Sequence, residues 1–255
     1  MVNCNTVFVL ALLLILFTCA GCATLSSNRA IDPQVDDALR KMEKTLAGAE
    51  EFSFRGTVRT DEFIDDGTMI EFARECDVEI RRPDKMLATR RGDTINRTAW
   101  YDGKELTILD RKKNVYASIE VPSRLNAMLN HMMDEYNLVL PFADLLFNKP
   151  TEVLFAKIES GEYLGVQEID GHDCHLLAFH QELIDWQIWI DAGEEAVPRK
   201  FLITYIDEPE HPQYEAIFSD WNLSPKLPDT NFEFRPSAGV KRVDMDVLLE
   251  IERGE

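Results

Sequence analysis

The sequence predicts a mainly β protein of the α+β class, built on a single curved antiparallel sheet of about eleven strands with helices against its concave face. Three observations carry this expectation. Long segments alternate apolar and polar residues with period two. In the longest, Ile70, Phe72, Cys76, Val78 and Ile80 point one way, while Glu71, Glu75, Asp77, Glu79 and Arg81 point the other. Such segments are joined by hairpin turn dipeptides, Asp102-Gly103 and Asp170-Gly171. The helical segments carry an apolar stripe on one side only, so they must be covered by something.

The elements follow in order. Asp32-Pro33 opens a helix, with Asp as N-cap and Pro in the first turn. Val35, Leu39, Met42 and Leu46 keep helical spacing until Gly48. Strands are expected at Phe52–Val58, Ile70–Arg81, Thr98–Tyr101, Glu105–Leu109 and Val115–Val121. Arg74 falls on the apolar face of the second strand and breaks its pattern. Pro122 then opens a helical stripe of Leu125, Met128, Leu129, Met132 and Tyr136, and Phe142–Phe147 reads as a second short helix. Strand patterns resume at Tyr163–Ile169, His172–Gln181, Ile184–Asp191, Val197–Ile206 and Tyr214–Trp221. A last short strand is expected at Asn231–Phe234, and a terminal helix at Asp244–Glu252. Strands on either side of the helical insert share length and style, so the insert divides one sheet rather than two domains.

The N-terminus speaks to location. Val7–Phe17 is an unbroken apolar run followed by Thr18-Cys19-Ala20-Gly21-Cys22. This looks like an export signal, with Ala20-Gly21 before Cys22 as a lipobox and Cys22 as the lipid-modified residue. The expected organisation is a signal peptide over 1–21, a tether over 22–31 and one periplasm-facing domain over 32–255. An uncleaved transmembrane anchor is the rival, since Met1–Asn28 carries no charge. The continuous apolar run is shorter than the ~20 residues a span needs. Residue Ala23, not Asp, follows Cys22; by resemblance to enteric-type sorting this points to the outer membrane.

The chain carries 27 Lys and Arg against 46 Asp and Glu, a formal charge of −19. All of it lies beyond residue 28, in the exported part. So acidic a domain has no basic face for nucleic acid, and it would not lie flat on anionic lipid heads. Cys4 and Cys19 leave with the signal. Cys76 and Cys174 remain, either as one disulfide in an oxidising compartment or as two buried small apolar residues.

No catalytic constellation stands out. His172, Cys174, His175 and His180 include good metal-ligand types. On one strand, however, they alternate faces and spread too far for a single ion, so no metal site is expected. Asp65-Asp66 and Glu194-Glu195 lie in turn-like stretches. Ser160-Gly161 and Ser237 lack a nucleophile elbow. A bent sheet with helices in its concavity can leave an apolar cavity, and Phe72, Met128, Met132, Trp186 and Ile188 are the candidate lining. Each also reads as ordinary core.

An ordered set of short motifs completes the sequence reading. It runs through Tyr101-Asp102-Gly103-Lys104, Leu140-Pro141-Phe142-Ala143-Asp144-Leu145-Leu146, Asp170-Gly171-His172-Asp173-Cys174-His175-Leu176, Asp185-Trp186-Gln187-Ile188-Trp189-Ile190-Asp191 and Phe218-Ser219-Asp220-Trp221. The set resembles a family of predicted periplasmic proteins of unknown function (domain of unknown function 2092) over residues 35–243. That family is similar to the lipoprotein-carrier superfamily of LolA, LolB, LppX and RseB. The resemblance implies an incomplete antiparallel barrel, closed by helices around a hydrophobic cavity. It also implies a non-catalytic carrier of lipid, acyl chains or lipoproteins that needs no cofactor. Its RseB-like members imply an alternative, an envelope sensor or interaction module without lipid cargo.

Overall fold

The computed structural model describes residues 30–64, 67–138, 142–154 and 157–253. The expected signal peptide, Cys22 and nearly all of the tether lie outside them. The first half runs β1 (Ala30–Ile31), α1 (Pro33–Gly48), β2 (Glu51–Phe63), β3 (Met69–Arg81), β4 (Lys85–Gly92), β5 (Asn96–Tyr101), β6 (Glu105–Asp110) and β7 (Val115–Glu120). The helical insert follows: α2 (Leu125–Tyr136), α3 (Ala143–Leu146) and α4 (Pro150–Leu154). The second half is β8 (Ser160–Ile169), β9 (His172–His180), β10 (Ile184–Asp191), β11 (Pro198–Tyr205), β12 (Gln213–Asn222), β13 (Lys241–Arg242) and α5 (Met245–Arg253).

All thirteen described strands form one sheet, in the order β1-β8-β9-β10-β11-β12-β2-β3-β4-β5-β6-β7-β13. Its two edges are two-residue strands, β1 and β13, paired parallel to β8 and β7; the other pairings are antiparallel. The sheet curves but does not close, because its edges do not pair with each other. Two connections cross it. The insert leaves β7 near one edge and enters β8 near the other, while α1 leads from β1 at the edge to β2 in the middle. The two halves meet where β12 pairs antiparallel with β2.

Local chemistry explains most elements. Asp32 caps α1 by accepting the Gln34 N–H at 2.8 Å, with Pro33 in the first turn. In the β8–β9 hairpin Asp170 and Gly171 both have positive φ, 49° and 80°, the signature of a tight two-residue turn. Val35, Leu39, Met42 and Leu46 of α1 enter one core with Leu125, Met128, Leu129 and Met132 of α2 and Met245, Leu248 and Leu249 of α5. Phe52, Phe54, Val78, Ile80 and Met86 meet them from the sheet.

Two elements lie outside the expected set, and two expectations are corrected. Strand β4 went unseen because its inward face offers only Met86, small Ala88 and charged Arg90, which hides the alternation. Helix α4 was also missed. The strand expected at Asn231–Phe234 is instead a single turn over Asp229–Phe232, whose Phe232 ring is buried under the Arg81 guanidinium at 5.2 Å. Helix α2 starts at Leu125 rather than Pro122, whose carbonyl accepts the Tyr101 hydroxyl at 2.7 Å.

Candidate functional site

A cavity of about 330 Å³ lies on the concave face beneath α3 and α4, where the two halves of the sheet meet. Its depth is apolar, with Val58 from β2 and Phe218 from β12 on the sheet side and Leu145 from α3 and Leu154 from α4 on the helix side, all buried. Phe201 and Ile203 of β11 form a side wall and are only half-buried, because they face open space rather than packed atoms. Phe142, Ala143 and the buried Cys76 add to the apolar lining, and the rest is polar: Thr60, Arg74, Arg90, Asp144, Tyr205 and Tyr214. Apolar depth and a polar rim make this an amphiphile-shaped site.

The rim has defined chemistry. Arg74 donates to Thr60 Oγ1 at 2.6 Å and to Glu62 Oε1 at 2.6 Å, and its guanidinium lies 5.7 Å from the Phe72 ring centre. Its break in the alternation is thus explained: it stands where the inward face changes from packed core to cavity rim. Arg90 sits opposite Cys76 across the β3–β4 ladder, and Gly92 sits opposite Arg74. Tyr214 is pushed above the ordinary phenol range by burial first, then by Cys76, Tyr205 and Asp144 around it.

Phe142 is wedged at one side of the cavity. Its backbone is left-handed (φ 59°) and its ring packs edge-on against Phe54 and Phe218, at 5.5 and 4.9 Å. The ring also covers Gly56, where a Cβ would lie 2.4 Å from it. Gly56→Ala is expected to force the ring out of its slot and cost about 1–3 kcal/mol. Denaturant unfolding checks this; an unchanged midpoint would show that the ring moves aside without cost.

The structure redraws the candidate lining. Met128, Met132 and Ile188 are fully buried, and Trp186 is 2% exposed. All four are packed core, not cavity wall. Trp186 instead backs the wall, with its ring 5.4 Å from that of Phe201. Phe72 is half-buried beside Arg74, outside the lining. The lining residues on β11 and β12 were overlooked because a half-buried strand reads alike whether its inner face meets helix or void. Arg74 was the one available signal.

The disulfide reading is also corrected, since Cys76 and Cys174 are both free and buried. Cys76 belongs to the main core, whereas Cys174 sits with Leu176 and Trp189 in a separate cluster on the other face of the sheet. Burial pushes each thiol up to about 11. Alkylation of the native protein at about pH 8 should therefore label neither cysteine, and denaturation should expose both. Rapid labelling of native protein, read by intact mass, would overturn this.

The histidines have separate partners. His172 Nδ1 lies 3.2 Å from Asp191, His175 Nδ1 lies 3.0 Å from the Tyr163 hydroxyl, and His180 Nδ1 lies 2.6 Å from Asp185. Among the described residues, no helix is long and apolar enough to cross a membrane.

Fold and site together define a half-barrel protein with an internal cavity. Over residues 35–246 the chain matches the model of one family, and it belongs to that family, described as "Predicted periplasmic protein (DUF2092)". Compared by sequence with curated proteins, it matches none. Among solved structures it is similar to an uncharacterised conserved protein from Thermus thermophilus, at 10% identity and a TM-score of 0.48, covering 83% of this chain and 99% of that one. It is also similar to the lipoprotein LppX of Mycobacterium tuberculosis, at 13% identity and a TM-score of 0.47, covering 77% and 100%. A LolA superfamily protein from Nitrosomonas europaea is similar at 11% identity and a TM-score of 0.37, covering 78% and 97%.

Proposed function

We propose that this protein is exported, anchored to the outer membrane through a lipid on Cys22, and binds an acyl chain in the cavity beneath α3 and α4 without catalysing a reaction. The observation that carries the reading is the cavity, apolar at Val58, Phe218, Leu145 and Leu154 and open at a polar rim. A methylene takes about the volume of a water molecule, roughly 30 Å³. The cavity of about 330 Å³ would then hold on the order of ten methylenes. At about 0.8 kcal/mol each, these supply ~8 kcal/mol before the cost of association. Affinity should therefore be weaker than about 1 μM for the tail alone.

Two measurements test this. Intact mass after detergent extraction from membranes reports the modification of Cys22. Native mass spectrometry and uptake of a dansyl-labelled fatty acid report cargo. Protein that carries no lipid and takes up no labelled fatty acid would end the acyl-binding reading. A second reading, an envelope sensor or interaction module without cargo, is favoured by the tip of the β2–β3 hairpin. There Phe63, Ile64, Met69 and Ile70 are each 38–43% exposed, an unusual cluster for a free surface.

A further inference from the structure

We infer that the cavity takes a single-chain anionic amphiphile, with its tail in the apolar depth and its carboxylate or phosphate head held between Arg74 and Arg90. This rests on the acyl-binding reading above and adds two things to it: the number of chains and the charge of the head.

The chain number follows from size. A space of about 330 Å³ sits at the lower end of ligand pockets, which run from about 300 to 1,000 Å³. It has room for one chain and not for the several acyl chains of a lipoprotein terminus.

The head charge follows from register. Arg74 pairs with Gly92 and Cys76 pairs with Arg90, so the two arginines are diagonal neighbours on one face, about 7 Å apart at Cβ. Gly92 leaves room for the Arg74 stem, since a Cβ there would lie 3.1 Å from Arg74 Cγ. Two guanidiniums on one rim, with Asp144 the one carboxylate among the lining residues, stand out in a chain with 46 acidic and 27 basic residues. Guanidinium forks fit carboxylate and phosphate oxygens. In this structure Arg74 is partnered by Glu62, whose side chain is 47% exposed. Arg74 itself is only 17% exposed, but the Glu62 end of the pair is open to solvent, so a competing anion can take its place on the guanidinium. Tyr205 and Thr60 supply hydroxyls at the same rim.

Calorimetric titration of the full chain with decanoate, decyl phosphate and decanol tests the inference. At low ionic strength one or both anions should bind at least tenfold tighter than the alcohol. Which anion leads identifies the head. Added salt should narrow the gap by weakening anion binding alone. Arg74→Met and Arg90→Met should each lower the ratio of anion to decanol affinity, and Glu62→Gln should raise it. Equal binding of alcohol and anions by the unaltered protein, with no salt dependence, would overturn the inference while leaving acyl binding intact. Binding of none of the three would overturn both.

Discussion

Asp110→Ala is expected to destabilise the domain by about 3–5 kcal/mol. Arg97 and Asp110 face each other across β5 and β6, and are only 8% and 5% exposed. Arg97 Nε donates to Asp110 Oδ2 at 3.0 Å, and its Nη2 donates to the Leu248 carbonyl of α5 at 3.3 Å. Asp110 Oδ1 accepts the Lys113 N–H at 2.9 Å, shaping the turn into β7. Removing the carboxylate takes from a buried guanidinium the charge that faces it across the ladder, and from a turn amide its acceptor. For a domain of this size the melting temperature should fall by roughly 10 °C. The double change Arg97→Met with Asp110→Ala should recover part of the loss, because the guanidinium is then removed together with the carboxylate that faced it. A single-variant loss below about 1 kcal/mol, the range of surface pairs, would show that water reaches this pair.

Ile203→Trp is expected to abolish acyl-chain uptake, lowering affinity more than tenfold, while leaving stability unchanged or raised. Ile203 is half-buried and faces the cavity from β11. An indole there occupies space the tail would fill, and it buries apolar area that the native side chain leaves exposed. Labelled fatty-acid titration and thermal unfolding of the same sample check both halves. Full uptake by the variant would place the bound chain elsewhere on the molecule. Loss of uptake together with a large loss of stability would mean that the site is packed core rather than space.

The strand content was legible because it rests on local rules. Period-two alternation marked β3, and Asp170-Gly171 marked the β8–β9 hairpin, since both act within a few residues. The site was less legible. Trp186 and Phe201 carry the same signal, an aromatic on the inner face of a strand. Trp186 meets the stacked ring of Phe179 at 4.0 Å and is core; Phe201 meets open space and is wall. Periodicity reports which way a side chain points, not what it meets there. The same limit governs the cysteines. Alternation set the side of each strand on which its cysteine lies, but only the assembled sheet puts Cys76 in the main core and Cys174 in the cluster on the opposite face.

By itself the sequence determined the mainly β class, α1 with its Asp32 cap, the two hairpin turns, the acidic character and the family to which the chain belongs. These follow from backbone preferences, side-chain alternation and composition, all set by near neighbours along the chain. Only the tertiary structure decided that β12 lies beside β2, that the insert spans the sheet from edge to edge, and that Arg74 and Arg90 share a rim above the apolar depth of the cavity. Each depends on pairing residues more than a hundred positions apart or on the space left unfilled after packing, and no local pattern encodes either.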